Sequence, residues 1–230
     1  MKIIILILLL LSFDISASGK KTKINIHTFG VDGENSLILN TETNQYLEST
    51  YINTGLTLST DTGWDLSISS QNIPILNGGT QSFQADTYLN ISRKIKVNDY
   101  LDLTLGTQNG YQLYDTVHIG KVHQFHYSDL ELKLTDNITL RGGEFYVNKE
   151  LSTKSEYVGG IAGITLSYKD FEIIADYFSG HNNVSGASVD FGYYVKKWLQ
   201  PYIGIGIPEQ NSGNEFYGEF GINISTNSLK

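Results

Sequence analysis

The residue types best suited to chemistry stand together in Val122-His123-Gln124-Phe125-His126-Tyr127-Ser128. His126 and Ser128 are two apart, so on an extended chain they share a face. If 137–147 folds back over Thr135-Asp136, Leu134 meets Ile138 and the same register sets Ser128 opposite Glu144. A hydroxyl, an imidazole and a carboxylate on one face can serve as nucleophile, general base and the acid that orients the base. The blander reading is a serine and a histidine that only occupy a strand, and no catalytic role is favoured over it. His118, His123 and His126 also raise a metal site. His118 and His126 lie far apart along one strand, and His123 has the opposite parity, so neither a metal nor a cofactor is assigned. Gly-rich phosphate loops, HExxH and Cys/His patterns are missing from the sequence.

These groups need strands to position them, and the chain alternates with period two almost throughout. Trp64-Asp65-Leu66-Ser67-Ile68-Ser69, Leu101-Asp102-Leu103-Thr104-Leu105 and Leu130-Glu131-Leu132-Lys133-Leu134 each give an apolar face and a polar face. Strands are predicted at 51–60, 62–72, 83–93, 99–108, 120–134, 137–147, 156–168, 170–179, 187–195, 200–207 and 215–225. Many match the roughly 9–11 residues of a tilted membrane-spanning strand. The connections alternate in length. Short ones are Asp61, Lys94 to Asn98, Thr135-Asp136, Lys169-Asp170 and Lys196 to Leu199. Longer ones are Ile73 to Ser82, Asn109 to Ile119, Asn148 to Ser155, Gly180 to Gly186 and Pro208 to Asn214. Short turns on one side and long loops on the other are a property of membrane barrels. An even strand number requires one more strand, in Lys23–Phe29 or in Leu37–Thr43. The first choice leaves Gly30 to Ser49 as a long external loop. The expected fold is all-β, a single antiparallel up-and-down barrel of about twelve strands, with ten as the alternative.

Composition agrees. The 230 residues carry no Cys and a formal net charge of -8. An acidic chain is a poor general partner for nucleic acid, whose phosphates need a basic face. The first eighteen residues read as a leader: Lys2, the apolar run Ile3 to Leu11, and Ser16-Ala17-Ser18 before a cut at Gly19. The expected layout is a signal peptide over 1–18, a first strand or plug over 19–49, and the barrel over 50–230.

Parity assigns the faces. Leu56, Leu58, Leu66, Ile68, Leu89, Ile91, Leu101, Leu103, Leu105, Leu130, Leu132, Leu134, Ile164, Leu166, Ile173, Ile203, Ile205, Ile222 and Ile224 fall on the face read as lipid-facing. Tyr100, Tyr157, Tyr168, Tyr177, Trp198 and Tyr202 fall near strand ends, where an interfacial aromatic girdle would sit. The other face carries Asp65, Asp86, Asp102, Asp129, Glu131, Glu172, Asp176, Asp190 and Glu219, opposed clearly by Lys133 and Arg141. A dry core could not hold those acids unpaired. A wet interior could, and it would attract cations. Gly159, Gly163, Gly192, Gly204, Gly206 and Gly221 on that face leave room for water or for close packing. Lys20, Lys21 and Lys23 could bring a basic plug to the acids.

With this patterning, residues 50–225 resemble the bacterial outer-membrane β-barrel class, porin-like in general pattern. The chain end departs from the class, since Phe220-Gly-Ile-Asn-Ile is followed by Ser-Thr-Asn-Ser-Leu-Lys230 and no aromatic residue closes the last strand. The His-x-Ser is similar to that of outer-membrane phospholipase A and the lipid A deacylases. That resemblance implies Ser128 as nucleophile, His126 as base and Glu144 as orienting acid, although Asp129-Leu130 stands where those families have small residues. The leading expectation is a porin-like channel with an acidic, cation-preferring interior, or a structural envelope protein, exported to the bacterial outer membrane. Its expected partners are outer-membrane lipid and lipopolysaccharide, the barrel-insertion machinery, and small cationic or neutral solutes. A lipid ester hydrolase and a soluble secreted β-protein that binds a ligand are the alternatives.

Overall fold

Alternation can only place two chemistries on two sides of a sheet; what decides inside from outside is how the sheet closes. The computed structural model describes residues 35–226 except 78–83, 115–117, 153, 211 and 213. The predicted leader, the plug lysines and Lys23–Phe29 lie outside the described residues. The strands are β1 (Ser36–Gln45), β2 (Ser49–Ser59), β3 (Trp64–Asn77), β4 (Gln84–Lys96), β5 (Leu101–Tyr114), β6 (His118–Thr135), β7 (Ile138–Val147), β8 (Val158–Tyr168), β9 (Phe171–Phe178), β10 (Gly186–Tyr193), β11 (Leu199–Pro208) and β12 (Tyr217–Ser225). Each pairs antiparallel with its neighbours in sequence, and β1 pairs β12 from Ile38↔Ser225 to Gln45↔Gly218. The result is a closed twelve-strand barrel with no free edge among these strands, so the row of amides that aggregates open sheets is removed.

The apolar rows face outward. Leu166, Ile173, Phe191, Ile203 and Phe220 are successive cross-strand partners from β8 to β12. Leu39, Leu56, Ile68 and Leu89 continue the pattern from β1 to β4. They are exposed, Ile68 at 55% and Leu134 at 52%, whereas Asp86, Asp129 and Asp176 on the opposite face are buried. A water-soluble barrel has the reverse arrangement.

The inward glycines are filled by side chains. Gly106 pairs with Tyr127, Gly110 with Tyr88, Gly159 with Phe145, Gly206 with Tyr217 and Gly221 with Tyr202. In each pair an added Cβ would overlap the aromatic ring. Gly163 lies under Asp176, Gly192 under Gln200 and Gly204 under Asp190. The six glycines singled out in the sequence thus serve close packing: rings laid over glycines on the next strand hold the register and leave the inner wall dense.

Several details differ from the sequence reading. The twelfth strand is the second candidate segment, so the barrel begins at Ser36, ahead of residue 50. The connection from β1 to β2 is only Tyr46 to Glu48, closed by Tyr46 N–H donating to Ser49 O at 2.9 Å, and the described part of the stretch expected as a long external loop is mostly strand β1. Much of Ile73 to Ser82 and of Asn109 to Ile119 is strand: β3 continues to Asn77, and β5 pairs β6 as far as Tyr114↔His118. Polar and glycine-rich sequence there imitates a turn, but Gly110 is covered by Tyr88 and stays in the ladder. Tyr202 is not in the girdle. It points inward at 3% exposure, because β11 starts at Leu199 and gives it the parity opposite to Ile203. Tyr100, Tyr157, Tyr168 and Tyr177 are exposed on or beside the outer face, and Trp64 joins them with the Arg93 guanidinium 5.3 Å above its ring.

Gly221→Ala should displace the Tyr202 ring and cost about 1–3 kcal/mol. Urea unfolding of the reconstituted barrel checks this. An unchanged midpoint would mean the ring has room to move.

Candidate functional site

Much of the inner wall is a hydrogen-bonded polar belt built from side chains of seven strands. Asn72 Nδ2 donates to Asp86 Oδ2 at 2.9 Å, and the Asn72 backbone N–H donates to Asn53 Oδ1 at 2.7 Å. Asn53 Nδ2 donates to Glu42 Oε1 at 2.7 Å, and the Tyr202 hydroxyl donates to Glu42 Oε2 at 2.6 Å. Asn40 Nδ2 reaches both Tyr202 Oη at 3.0 Å and Asn223 Oδ1 at 2.7 Å. Asn223 Nδ2 donates to Gln200 Oε1 at 3.2 Å, and Gln200 Nε2 to Glu172 Oε2 at 3.0 Å. This belt runs from Asp86 on β4 across the β1–β12 seam to Glu172 on β9. Carboxamides link the carboxylates because each offers both donors and an acceptor, so one belt can satisfy acids on several strands.

On the other side of the interior, Arg141 is buried between two carboxylates. Its Nε–H donates to Asp129 Oδ2 at 2.6 Å and its Nη1 to Asp176 Oδ1 at 3.2 Å. The guanidinium fork allows one cation to hold acids from β6 and β9 together. At the short-turn end, Lys94 Nζ lies 2.8 Å from Glu131 and 3.5 Å from Asp102. These side chains are only partly buried, so this is the wetter mouth.

The long-loop end is more apolar. Phe125, Phe145, Val147 and Ile161 form an inward apolar cluster with Leu151 from the β7–β8 connection. The connections there are tied together. Asn183 N–H donates to Leu151 O at 2.8 Å, Glu209 N–H donates to Ser185 O at 3.2 Å, and Asn214 Nδ2 donates to Asn183 O. His181 clasps Glu156 through its ring Nδ1 at 2.9 Å and its backbone N–H at 2.9 Å. The ring hydrogen bond and the backbone one hold the Glu156 carboxyl below the usual carboxylate range.

The register places Asp65, Asp86, Asp102, Asp129, Glu131, Glu172, Asp176, Asp190 and Glu219 on the inward face. Two inward charges were not read from the sequence. Glu42 belongs to β1, and only the alternation of Leu37 and Leu39 with polar residues signals it. Lys94 reads as a turn residue until β4 is seen to continue to Lys96. Lys133, expected to oppose the lumen acids, instead reaches Asp136 at the turn, 3.3 Å away.

The possible nucleophilic set lies on the outer face. Ser128 does pair with Glu144, but a register shift between Lys133 and Thr135 means Thr135, and not Leu134, meets Ile138. His126 Nδ1 is 2.8 Å from Thr107 Oγ1, and its ring stacks on Tyr146 with centroids 6.0 Å apart. Among the described residues no hydrogen bond joins Ser128, His126 and Glu144. His123 points inward with Nδ1 2.8 Å from Tyr88 Oη, and the His118 side chain lies outside the described residues.

No family model and no curated protein matches the sequence. Solved structures similar to the chain include the KdgM porin, at 14% identity and TM-score 0.59, covering 82% of this chain and 98% of that one. The same porin in complex with oligogalacturonate gives TM-score 0.57 at 14% identity. Outer membrane phospholipase A from Escherichia coli gives TM-score 0.52 at 11% identity, covering 86% of this chain and 91% of that one. At these identities the likeness is one of fold: this chain has the fold of outer-membrane β-barrels.

Arg141→Leu removes the cation to which Asp129 and Asp176 are both bonded, and should destabilise the barrel by about 3–5 kcal/mol. Asp129→Asn with Asp176→Asn should recover part of that loss. Urea midpoints decide, and a silent Arg141→Leu contradicts the reading.

Proposed function

We propose that the chain is an outer-membrane channel whose carboxylate-rich interior passes cationic and neutral solutes in preference to anions. The observation that carries this is the division of faces around a closed barrel: leucine and isoleucine outward and exposed, carboxylates and carboxamides inward. Only an apolar solvent makes that outer surface stable, and only a barrel satisfies every backbone group within it. Hydrocarbon of the outer membrane supplies that solvent, with lipopolysaccharide and the barrel-insertion machinery as further partners and a leader over 1–18 for export.

Selectivity follows from charge. Inside, Lys94 and Arg141 face Glu42, Asp65, Asp102, Glu131, Glu172 and further acids, so the interior potential is negative and raises local cation concentration. The KdgM porin was solved with oligogalacturonate, a polyanion. The wall here favours the opposite charge. The wetter short-turn mouth, where Asp102 and Glu131 are partly exposed, is the best place to read this preference.

The test is planar-bilayer conductance in a salt gradient, on protein that fractionates with the outer membrane and shows heat-shifted migration. The reversal potential should have the sign of cation preference. Asp102→Asn combined with Glu131→Gln should move it toward zero. Anion preference contradicts the proposal, and a folded barrel that passes no current makes the chain a structural envelope protein instead.

A further inference from the structure

Charge is unevenly distributed around the interior. The strands β10, β11, β12 and β1 lie side by side in the closed sheet and contain no lysine, arginine or histidine. They nevertheless turn Glu42, Asp190 and Glu219 inward, all buried. The register sets Asp190, Gly204, Glu219 and Asn44 in one row across these four strands. A Cβ added at Gly204 would meet both Asp190 Oδ1 and Glu219 Cγ, so two carboxylate side chains lie over the same glycine. Asn44 is fully buried, and its Nδ2 is 3.5 Å from Glu42 Oε1. Its Oδ1 accepts no hydrogen bond among the described residues.

Such a row asks for cations. Like charges side by side in a confined space repel, and an acceptor set among acceptors stays unsatisfied. An ammonium group remedies both, since it carries positive charge and three donors. On the far wall, Arg141 holds Asp129 and Asp176, and Lys94 lies beside Glu131 and Asp102. Three further lysines, Lys20, Lys21 and Lys23, stand ahead of β1 in the sequence. Their tether is at the wetter mouth. Asn35 lies at the short-turn end, where its Oδ1 accepts the Asp61 N–H at 3.3 Å. Ser36, the first residue of β1, shares a row with Ser59 and the inward Asp65. From Lys23 to Asn35 the chain can span about 40 Å. An apolar band is roughly 25 Å tall, so the tether lets the lysines reach any depth of the interior.

We infer that residues 19–34 turn back through the short-turn mouth and set these lysines on the acid row of β10, β11, β12 and β1, narrowing the channel from within. The occupant of the row is thus the chain's own basic segment. Charge is complementary in sign and in number, with Lys20, Lys21 and Lys23 against Glu42, Asp190 and Glu219. The acids of the segment, Asp32 and Glu34, adjoin Asn35 in sequence and leave the lysine end basic. A short tether holds its ligand at an effective concentration on the order of millimolar, whatever cations the medium contains. That favours the segment over a free solute cation. The inference rests on the exported channel proposed above.

The chain has no cysteine, so a pair of introduced cysteines reports proximity cleanly. In outer membranes treated with a mild oxidant, Thr22→Cys combined with Asn44→Cys should form a disulfide within one chain. Thr22→Cys combined with Ile203→Cys, beside the row but on the exposed outer face, should not. In planar bilayers, Lys20→Gln, Lys21→Gln and Lys23→Gln together should raise the conductance by about twofold or more in roughly 0.1 M salt, where charges are screened over about 10 Å. Heat-shifted migration of each variant confirms that the barrel has formed. A folded barrel with no link at position 44, or with equal links at both positions, overturns the plug. A link at position 44 with a current that the triple variant leaves unchanged overturns its ionic docking. Anion preference in the triple variant, or no current from it, overturns the channel reading instead, because the cross-link reports the position of the segment by itself.

Discussion

A peptide group surrounded by hydrocarbon can find its hydrogen bond only in another peptide group, and every other feature of this molecule answers to that requirement. Twelve strands satisfy it for one another, and the pairing of β1 with β12 satisfies the last two rows. Once the sheet is closed, each strand has one side in the surrounding medium and one side in a confined interior. Alternation in the sequence then becomes a radial separation of chemistry. The leucine rows serve as the solvent-facing surface, and the interior inherits everything polar.

That interior has to be made stable in its turn. Ten or so carboxylates within one small barrel would repel one another strongly if left to themselves. The protein answers with three devices of different physical kind. Carboxamides carry hydrogen bonds from Asp86 to Glu172 across the seam. One guanidinium joins Asp129 to Asp176. Aromatic rings laid over glycines keep the wall close-packed between the charges. The seam benefits most, because Glu42 and Asn40 on β1 are bonded to Tyr202 and Asn223 on β11 and β12. The contacts that close the barrel are therefore the same contacts that line it.

Much of this was legible in the residues. Strict alternation at Leu101 to Leu105 and Leu130 to Leu134 fixed faces, and turn pairs such as Lys169-Asp170 fixed hairpins. Even the cross-strand pair Ser128 and Glu144 follows from the turn at Thr135-Asp136, despite the local shift beside it. What stayed hidden depended on partners distant in sequence. Gly110 reads as a turn until Tyr88 covers it, and Tyr202 reads as an interfacial residue until Glu42 receives its hydroxyl, 160 positions away. Lys94 looked like a turn residue because nothing local shows that Glu131 waits across β5. The partner of His126 Nδ1 is likewise set by Thr107 on another strand.

The separation of faces can be measured residue by residue. Single cysteines along β5 and β11, carrying a spin label, report their access to an apolar relaxant and to a water-soluble one. Labels at Leu103, Leu105, Ile203 and Ile205 should be reached by the apolar reagent, and those at Asp102, Thr104, Tyr202 and Gly204 should not, so that the signal alternates at every position. If the alternation were reversed, with the leucine and isoleucine positions shielded and the acidic ones facing bulk solvent from outside a compact core, the inside-out barrel would be contradicted.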